Sequence, residues 1–409
     1  MKDQNTVDRV KAAKKAFQSL YQNHAEVVAQ SPGRAEIIGN HTDYNNGYAL
    51  SAGISRYTYT CISRKTDGKI QVFSEGYSKK PEEFEIDNIQ KGEHAHWLNY
   101  IKGVVYELNK RKPLAGANIY ISSDVPSSGG VSSSAALELS VATALCGLFA
   151  IDVDPVNKAR MCQSAENGSF VGIPCGFLDQ ASSGLAKKDT LLFLDFLPTD
   201  TMPVSKIDYI PFDFSKHGLS FIVMVDKEVK RNLGSSGYPA RRKMCEDSIS
   251  HLSKILGKEI RSLRDVSIYE FESSRVKLKN IDPVMRKRVE HVVYENQRVL
   301  DAVEALKQEA VEEFGKILTD SGKSALELYE LDEKTPELTK LITKGREIDG
   351  VLGIRNMGGG FSAIGLALVC QDALESFQDE LSYEYGSGLE YIPFELSQGA
   401  EVLTALSNS

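Results

Sequence analysis

The sequence predicts an α+β fold organised as two lobes. Strand and helix patterns follow one another without the strict alternation that a doubly wound parallel sheet requires. At 409 residues the chain is long enough for two domains with sizeable buried cores. The texture of the sequence changes near residues 191–197, so we predict an N-terminal lobe over 1–190 and a C-terminal lobe over 191–409.

Periodic patterns predict the elements of the first lobe. An amphipathic helix is expected at the start, where apolar residues recur at helical spacing at Val7, Val10, Ala13, Phe17 and Leu20. Two β-type runs flank an Asp-Gly turn signal and predict a hairpin over residues 57–73. Residues 117–121 read as a strand and 125–134 as a Gly/Ser loop. The helix predicted over 135–149 is apolar nearly all round, which is typical of a buried helix.

The second lobe carries fewer strong patterns. We predict a strand over 221–225, a long helix over 285–306 and a glycine-rich turn that runs into a strand over 358–368. The sequence shows no internal repeat, low-complexity tract or coiled-coil heptad.

Composition narrows the class of protein. Hydrophobic residues at 42% and charged residues at 25% are ordinary for a globular protein, and the net charge of −8 argues against nucleic acid or an anionic membrane as partner. The 6 cysteines are scattered without a CxxC pair, so reduced thiols are expected in place of a disulfide framework or zinc site. No leader or membrane-spanning run is seen, so we expect a cytoplasmic protein.

A short N-terminal segment concentrates polar chemistry. The run Ser31-Pro-Gly-Arg-Ala-Glu-Ile-Ile-Gly-Asn-His-Thr-Asp-Tyr44 starts at a Pro-Gly turn and continues through a β-type stretch. It holds a cation at Arg34, an imidazole at His41, and carboxylates at Glu36 and Asp43. We interpret it as a recognition segment for a small, hydroxyl-rich molecule.

A second segment, Asp124-Val-Pro-Ser-Ser-Gly-Gly-Val-Ser-Ser-Ser-Ala-Ala136, joins a predicted strand to the predicted buried helix. Glycines let the backbone approach an anion, and a helix N-terminus offers unpaired N–H groups with a partial positive charge. Serine hydroxyls donate to phosphate oxygens or bind Mg²⁺. Because Gly-Lys-Ser/Thr is missing, this is not a Walker A loop. We interpret it as a phosphate loop, with a serine-capped connector as the alternative.

Two acids follow this loop. Glu166 lies in a predicted helix, and Asp179 follows in the run Cys175-Gly-Phe-Leu-Asp-Gln180. In phosphoryl transfer the protein mainly positions groups and neutralises charge. Glu166 has the hard oxygen ligands that Mg²⁺ prefers, and Asp179 is a candidate base that Arg34 keeps ionised. On residue type alone, surface or helix-capping acids are the alternative.

Taken together, these motifs resemble those of galactokinases, members of the kinase family that also includes homoserine, mevalonate and phosphomevalonate kinases. The N-terminal run resembles the galactokinase signature. The segment Asp124–Ala136, called the serine loop below, resembles Pro-x-x-x-Gly-Leu-Ser-Ser-Ser-Ala. Cys175–Gln180 is similar to Cys-Gly-Ile-Met-Asp-Gln, and Met357-Gly-Gly-Gly-Phe-Ser-Ala is similar to Thr-Gly-Gly-Gly-Phe-Gly-Gly. The resemblance extends over most of the chain.

The resemblance implies a two-lobed α+β kinase with its active site in the cleft between the lobes. It implies that the γ-phosphate of ATP is moved onto the anomeric hydroxyl of a sugar, with Mg²⁺ as the metal. In that reading Asp179 is the catalytic base and Arg34 its catalytic partner, while Ser133 and Glu166 bind the metal. The implied sugar-binding residues are Asn40, His41, Asp43, Gly176 and Tyr238. The implied ATP-binding residues are Trp97, Gly129, Gly130, Ser132, Ser133 and Ser134.

Other interpretations of these residues stay open. Trp97 is the single tryptophan and equally fits a role in the core. The basic segment from Lys230-Arg231 through Tyr238 to Arg241-Arg242 also fits a solvated face. His291 in a predicted helix is interpreted as structural. Phe170 falls one residue later after Glu166 than in the family pattern, which predicts a bulge in that helix.

Asn40 bears on the identity of the sugar, because galactokinases usually carry Glu there. In the family that carboxylate lies near the C6 hydroxyl and only accepts hydrogen bonds, whereas Asn also donates. Galacturonate or another C6-modified hexose is therefore an alternative to galactose. Losing one charge-assisted bond costs only about 1.5–3 kcal/mol, so galactose ranks first.

Two other classes of protein are alternatives. A non-catalytic sugar sensor on the same fold is the first, although the run Ser132-Ser-Ser-Ala-Ala136 is intact. A nicotinamide-dependent enzyme is set aside, because no Gly-x-Gly-x-x-Gly follows a predicted strand with an acid about twenty residues on.

Overall fold

The computed structural model describes residues 4–93, 96–127, 130–173, 175–229, 237–331, 335–360, 363–386 and 388–403. The chain forms two compact units. Unit 1 contains the residues up to Arg34, Gly53–Lys188 and the residues from Ser397 onward; unit 2 contains Ala35–Ala52 and Asp189–Leu396. One crossing between the units falls close to the predicted boundary at residue 190. The division into folding lobes 1–190 and 191–409 stays a prediction.

Unit 1 combines a sheet with packed helices. Its helices are α1 (Gln4–Tyr21), α2 (Leu98–Asn109), α3 (Ser133–Phe149), α4 (Pro155–Asn167) and α5 (Leu178–Leu185). Its sheet is built from parts of β1 (Val27–Ile38) and β2 (Tyr48–Lys65), with β3 (Lys69–Ser74), β4 (Glu82–Glu85), β5 (Gly116–Ser123) and β12 (Glu401–Val402). The strand order is β12-β1-β2-β5-β3-β4. The predicted opening helix, the strand at 117–121 and the helix at 135–149 are confirmed.

The hairpin predicted over residues 57–73 is wrong. The turn exists and Gly68 adopts a positive φ of 71°, but β2 and β3 do not pair with each other. Strand β5 lies between them, antiparallel to β2 and parallel to β3. Gly116 at the start of β5 makes this possible, because a Cβ there would lie 2.8 Å from the Lys69 carbonyl oxygen. The turn signal was read correctly, and the partner strand was not.

Helix α3 forms much of the unit 1 core. Its apolar side chains, such as Leu139 and Leu145, pack against the sheet and against α2 and α4. The neighbours in this core include Ile119 of β5, Ile101 of α2 and Met161 of α4. Burying one such side chain contributes roughly 1.5–3 kcal/mol. This packing fixes the direction of α3, and therefore the place of the loop that precedes it.

Unit 2 contains further helices and a four-stranded sheet. The helices are α6 (Tyr238–Leu256), α7 (Ile268–Ser273), α8 (Arg275–Leu278), α9 (Pro283–Lys307), α10 (Val311–Leu328), α11 (Pro336–Arg346) and α12 (Leu374–Tyr385). Short 3₁₀ turns span Asp43–Asn45, Phe214–His217, Leu263–Asp265 and Gln371–Ala373. The strands are β6 (Thr190–Asp195), β7 (Lys206–Pro211), β8 (Leu219–Asp226), β9 (Val351–Asn356), β10 (Ile364–Cys370) and β11 (Leu389–Phe394).

The sheet order in unit 2 is β11-β8-β10-β9, and β6 pairs with β7 and with Tyr48–Ser51 of β2. The strand predicted over 221–225 and the long helix predicted over 285–306 are confirmed as β8 and α9. Helix α9 begins two residues before its predicted start, because Asp282 accepts a hydrogen bond from the Met285 amide and Pro283 occupies the first turn. Mixed helices and sheets confirm the α+β class.

Helix α10 packs unusually close to β9. A Cβ at Gly353 would lie 2.3 Å from the Gly315 carbonyl oxygen, and one at Gly322 would lie 3.0 Å from the Arg355 Cα. These glycines allow backbone-to-backbone contact and bring the side chains of the two elements together. Among the described residues, no helix has both the length and the apolar character needed to cross a bilayer.

Candidate active site

In unit 1 the serine loop enters α3 through a left-handed backbone. Gly130 has a φ of 66° and Ser132 a φ of 55°, the latter uncommon for a residue with a side chain. Ser132 precedes α3 but makes no side-chain capping bond, and its Oγ is buried without a hydrogen-bond partner among the described residues. A hydroxyl that the helix does not use fits a ligand-binding role. Gly129 lies outside the described residues.

Strand β1 packs directly against this loop. The Arg34 amide donates to the Val131 carbonyl at 2.9 Å, and a Cβ at Gly33 would lie 2.7 Å from the same oxygen. Glycine at position 33 therefore allows the strand to approach the loop. This approach places Arg34, the residue after Gly33, beside the backbone of the serine loop.

Arg34 and Asp179 form the ion pair that the sequence predicted. The guanidinium donates to Asp179 Oδ1 from Nε at 2.9 Å and from Nη2 at 2.7 Å, and its Nη1 donates to the Gly130 carbonyl. The Arg34 side chain is 7% exposed and that of Asp179 is 31% exposed. Asp179 lies in the first turn of α5, where the helix dipole favours a carboxylate. A rigid cation thus joins a solvent-accessible acid to the serine loop.

Glu166 lies in the last turn of α4 and is buried. Its carboxyl accepts from Gln180 Nε2 at 2.6 Å and hydrogen-bonds to the Ser134 hydroxyl. Burial and then the charge of Asp179 raise the pKa of Glu166 to about 7. The predicted bulge in its helix is wrong, because α4 ends at Asn167 and Phe170 lies in the following turn. That turn is closed by Gly172 and Ile173 amides, each 3.1 Å from the Glu166 carbonyl.

Glu138 is a neighbour that sequence reasoning missed. It is fully buried in α3, and its Oε2 accepts from Gln180 Nε2 at 3.1 Å. Its Oε1 has no hydrogen-bond partner among the described residues. Burial, and then the charge of Glu166, raise the pKa of this carboxyl well above its usual value. The signal was present, since Glu138 is the single charged residue in an otherwise apolar helix.

The donor set around Glu166 suits a hard cation. Carboxylate oxygens with serine hydroxyls nearby are the ligands that Mg²⁺ prefers, and magnesium sites commonly use one or two carboxylates together with substrate phosphates. The residues described here contain no group of three or more His, Cys, Asp and Glu side chains arranged to hold a metal. Ser133, the other predicted ligand, is partly exposed at the start of α3.

The remaining predicted residues of unit 1 are placed as follows. Trp97 immediately precedes α2 and packs, partly buried, against the unit 1 core. Gly176 is partly exposed just before α5. In unit 2, Tyr238 begins α6, but its side chain lies outside the described residues.

In unit 2 the recognition segment leaves β1 through a strained turn. Gly39 has a φ of 110°, and a Cβ there would lie 2.6 Å from the Ala49 Cα, so only glycine fits. His41 has a φ of 64°, in the left-handed region. Asp43 begins the following 3₁₀ turn and is partly exposed. Of the three predicted sugar-binding side chains in this segment, Asp43 is the most accessible to a ligand.

His41 is buried against an aromatic ring. It is stacked on Tyr329 with ring centroids 4.2 Å apart, and its Nδ1 lies 3.1 Å from the Tyr44 hydroxyl. Burial, then the proximity of His291, lower the pKa of His41 well below its usual value, so it is neutral. His41 is therefore packed like a core side chain. The contact between His41 and a sugar stays a prediction.

Asn40 is 1% exposed and lies in a hydrogen-bonded network. Its Nδ2 donates to Glu36 Oε1 at 3.0 Å and to the Gly358 carbonyl at 2.6 Å. Its Oδ1 accepts from Asn356 Nδ2 at 3.1 Å. The Asn40 amide, predicted to bind sugar, is therefore hydrogen-bonded to other groups of the protein.

Charged residues surround Asn40. Arg355 Nη1 donates to the Ile37 carbonyl at 2.8 Å, and Nη2 lies 3.4 Å from Glu36 Oε1 and 3.9 Å from Glu295 Oε1. Glu295 also accepts from Arg298 Nε at 2.7 Å. Burial would raise the pKa of Glu295, but nearby charges led by Arg298 hold it well below its usual value. From the sequence, His291 on the same helix was interpreted as structural, and Glu295 was not linked to Asn40.

Comparisons with known proteins define the class first. The GHMP kinase N-terminal domain matches residues 99–187, and the galactokinase galactose-binding signature matches residues 15–64. A mevalonate kinase structure superposes with a TM-score of 0.61 at 17% identity, covering 91% of this chain and 100% of that chain, and so shows the shared fold. The serine loop, Arg34 and Asp179 all belong to a protein with a GHMP kinase fold.

The sequence relatives are more specific. Galactokinase from Clostridium acetobutylicum is 34% identical over 95% of this chain and 96% of its own. Galactokinase from Pyrococcus furiosus is 35% identical over 88% of this chain and 94% of its own. The structure of Lactococcus lactis galactokinase complexed with galactose superposes with a TM-score of 0.87 at 28% identity, covering 96% and 99% of the two chains. The chain belongs to the galactokinase family and is an ATP-dependent sugar kinase.

Proposed function

We propose that this protein transfers the γ-phosphate of ATP to the anomeric hydroxyl of galactose. The observation that carries the proposal is the Arg34–Asp179 ion pair, anchored to the serine loop through the Gly130 carbonyl. It joins a cation, an accessible carboxylate and a loop suited to phosphate, the parts that phosphoryl transfer needs. The galactokinase names of the relatives support galactose as the sugar.

In the proposed reaction Asp179 accepts the proton of the attacking O1 hydroxyl. A bond forms between O1 and Pγ while the bond from Pγ to the bridging oxygen breaks, and ADP leaves. Arg34 keeps Asp179 oriented and offsets negative charge near the transferred group. The N-terminus of α3 and the Ser132 hydroxyl bind phosphate oxygens.

Mg²⁺ is the metal we propose, with Ser133 and Glu166 as the residues that would hold it. When bound, it neutralises charge on the phosphates. Asp43, His41, Gly176 and Tyr238 are proposed sugar contacts, and Trp97 a proposed adenine contact, on the family resemblance. Gly129, Gly130 and Ser134 complete the proposed nucleotide site. A cytoplasmic location accords with this function.

The alternatives from the sequence are less favoured. The relatives carry the galactokinase name, and none of the three described above is named for galacturonate or for a sensor. The galacturonate kinase and the non-catalytic sensor are two outcomes of the test described below.

The test is a sugar panel with purified protein, ATP and Mg²⁺, in which ADP release and the sugar phosphate are both measured. Galactose should give the 1-phosphate, and Asp179→Asn should lower kcat about 10²- to 10⁴-fold, as expected for loss of a general base. Exposed Asp213→Asn is the matched control and should keep activity. Turnover of galacturonate without turnover of galactose, or no sugar-dependent ADP release, would overturn the proposal.

A further inference from the structure

Both N–H donors of the Asn40 amide are used within unit 2. One reaches Glu36 Oε1 at 3.0 Å and the other the Gly358 carbonyl at 2.6 Å, while Oδ1 accepts from Asn356. An amide nitrogen has two hydrogens, so none remains for another acceptor. With 1% of the residue exposed, a sugar hydroxyl could reach it only if this network opened.

The backbone of Asn40 is fixed as well. Its amide donates to Glu295 Oε1 at 3.2 Å, and its carbonyl lies 3.2 Å from His291 Nε2. Glu295 Oε1 also accepts from the Gly39 amide at 3.1 Å. Position 40 is thus held from both the main chain and the side chain.

These contacts tie two sequence motifs together. Asn356 ends β9, and Gly358 follows in the glycine-rich turn with a φ of 70°. Asn40 bonds to both, so the turn after β1 and the turn after β9 are held by one side chain. Part of the second motif, residues 361–362, lies outside the described residues.

The charges around position 40 are balanced without a carboxylate there. The buried carboxylates Glu36 and Glu295 face the guanidiniums of Arg355, which is buried, and of Arg298, which is partly exposed. A glutamate at position 40 would place a third acid against Glu36 with no added cation. A buried unpaired charge is strongly destabilising.

We propose that Asn40 is a positioning residue that, paired with Glu36, holds the glycine-rich turn in place, and that Glu36 supplies the buried carboxylate which galactokinases usually carry at position 40. Asn40 then acts on the reaction through the backbone at 39–41 and Gly358, without touching the C6 hydroxyl of the sugar. The kinetic part of this inference rests on the proposed function.

The first experiment exchanges the two side chains and needs no activity. Thermal unfolding is measured for Asn40→Glu, Glu36→Asn and the double variant. Asn40→Glu should lower the unfolding midpoint on the order of 10 °C, because it adds an uncompensated buried charge. The double variant restores the charge count and should recover more than half of that loss. A double variant no more stable than Asn40→Glu overturns the pairing.

The second experiment separates positioning from sugar contact. For wild type and Asn40→Ser, kcat/KM is measured with galactose and with an analogue that lacks the C6 hydroxyl. Asn40→Ser should lower kcat about tenfold or more through a displaced turn, while the ratio between the two sugars stays within about twofold of wild type. A ratio that collapses toward one in the variant overturns the proposal, since Asn40 would then read that hydroxyl. A wild-type ratio already near one supports it.

Controls keep the outcomes distinct. Exposed Asn280→Ser is the matched control for both activity and unfolding. If Asn40→Ser does not fold, Asn356→Ser removes one partner and leaves Asn40 in place, with the same expected loss of kcat and unchanged sugar ratio. If wild type does not phosphorylate galactose, the proposed function fails, and the exchange experiment still decides whether Asn40 and Glu36 are paired.

Discussion

In unit 1 the buried carboxyls of Glu138 and Glu166 share the amide of Gln180, whereas in unit 2 those of Glu36 and Glu295 lie beside Arg355 and Arg298. The consequences for ionisation are opposite. The pKa of Glu166 is raised to about 7, mainly by burial, and that of Glu295 is held below its usual value because nearby charges outweigh burial.

The difference separates two uses of a buried acid. In unit 2 the cations that neutralise the buried acids are arginines of the protein itself. The ionised Glu295 carboxylate can therefore accept hydrogen bonds from the Gly39 and Asn40 amides. In unit 1 a neutral amide serves two acids, so burial and the neighbouring acids raise the pKa of both carboxyls. Glu166, the proposed metal ligand, therefore carries a desolvation cost in the free protein that the unit 2 network offsets with its own cations.

The largest test removes the internal cation of unit 2. Arg355→Met would leave Glu36 and Glu295 with one fewer positive partner and should cost about 3–5 kcal/mol of unfolding free energy. Denaturant unfolding measures this directly. The matched control is Arg261→Met, which breaks an exposed ion pair with Glu259 and should change stability little. Equal losses for the two variants would contradict the division drawn between the units.

The next test uses pH on unit 1. Because the folded pKa of Glu166 lies above its unfolded value, this carboxyl costs stability above the unfolded pKa, and the cost is absent in acid. The difference between 4.5 and about 7 corresponds to about 3 kcal/mol. Glu166→Gln should therefore stabilise the metal-free protein at pH 8 and have little effect near pH 4.

Metal provides the control for that variant. Magnesium with nucleotide should raise the unfolding midpoint of wild type at pH 8 and raise that of Glu166→Gln much less, since a ligand is lost. A variant destabilised at pH 8 without metal would show that Glu166 is a paired structural acid like Glu295.

The sequence was sufficient for the parts of the site that short segments encode. Arg34 and Asp179 were paired correctly because each lies in a distinctive motif whose chemistry limits its role. Helices α1, α3 and α9 followed from apolar spacing. Family membership followed from the same motifs, in the same order along the chain.

The rest depended on contacts that local patterns do not encode. The 57–73 hairpin failed because the Asp-Gly turn signal says nothing about β5, which inserts from much later in the chain. Asn40 was interpreted from the family resemblance and from the chemistry of an amide, and its partners Asn356 and Gly358 lie more than three hundred residues away. Glu138 was overlooked because most residues of its helix are apolar, and the helix was therefore predicted only as a buried structural element.

The smallest test compares hydroxyl donors. Ser321 Oγ donates to Glu295 Oε1 at 2.6 Å, and Ser134 hydrogen-bonds to Glu166. Ser321→Ala removes a bond to an ionised acid and should cost about 1.5–3 kcal/mol near neutral pH. Ser134→Ala should cost less there, because the Glu166 carboxyl has a pKa near 7 and is partly protonated. Denaturant unfolding at pH 7 measures both. If Ser134→Ala were the more damaging, Glu166 would carry a full charge in the free protein and the contrast between the two units would not hold.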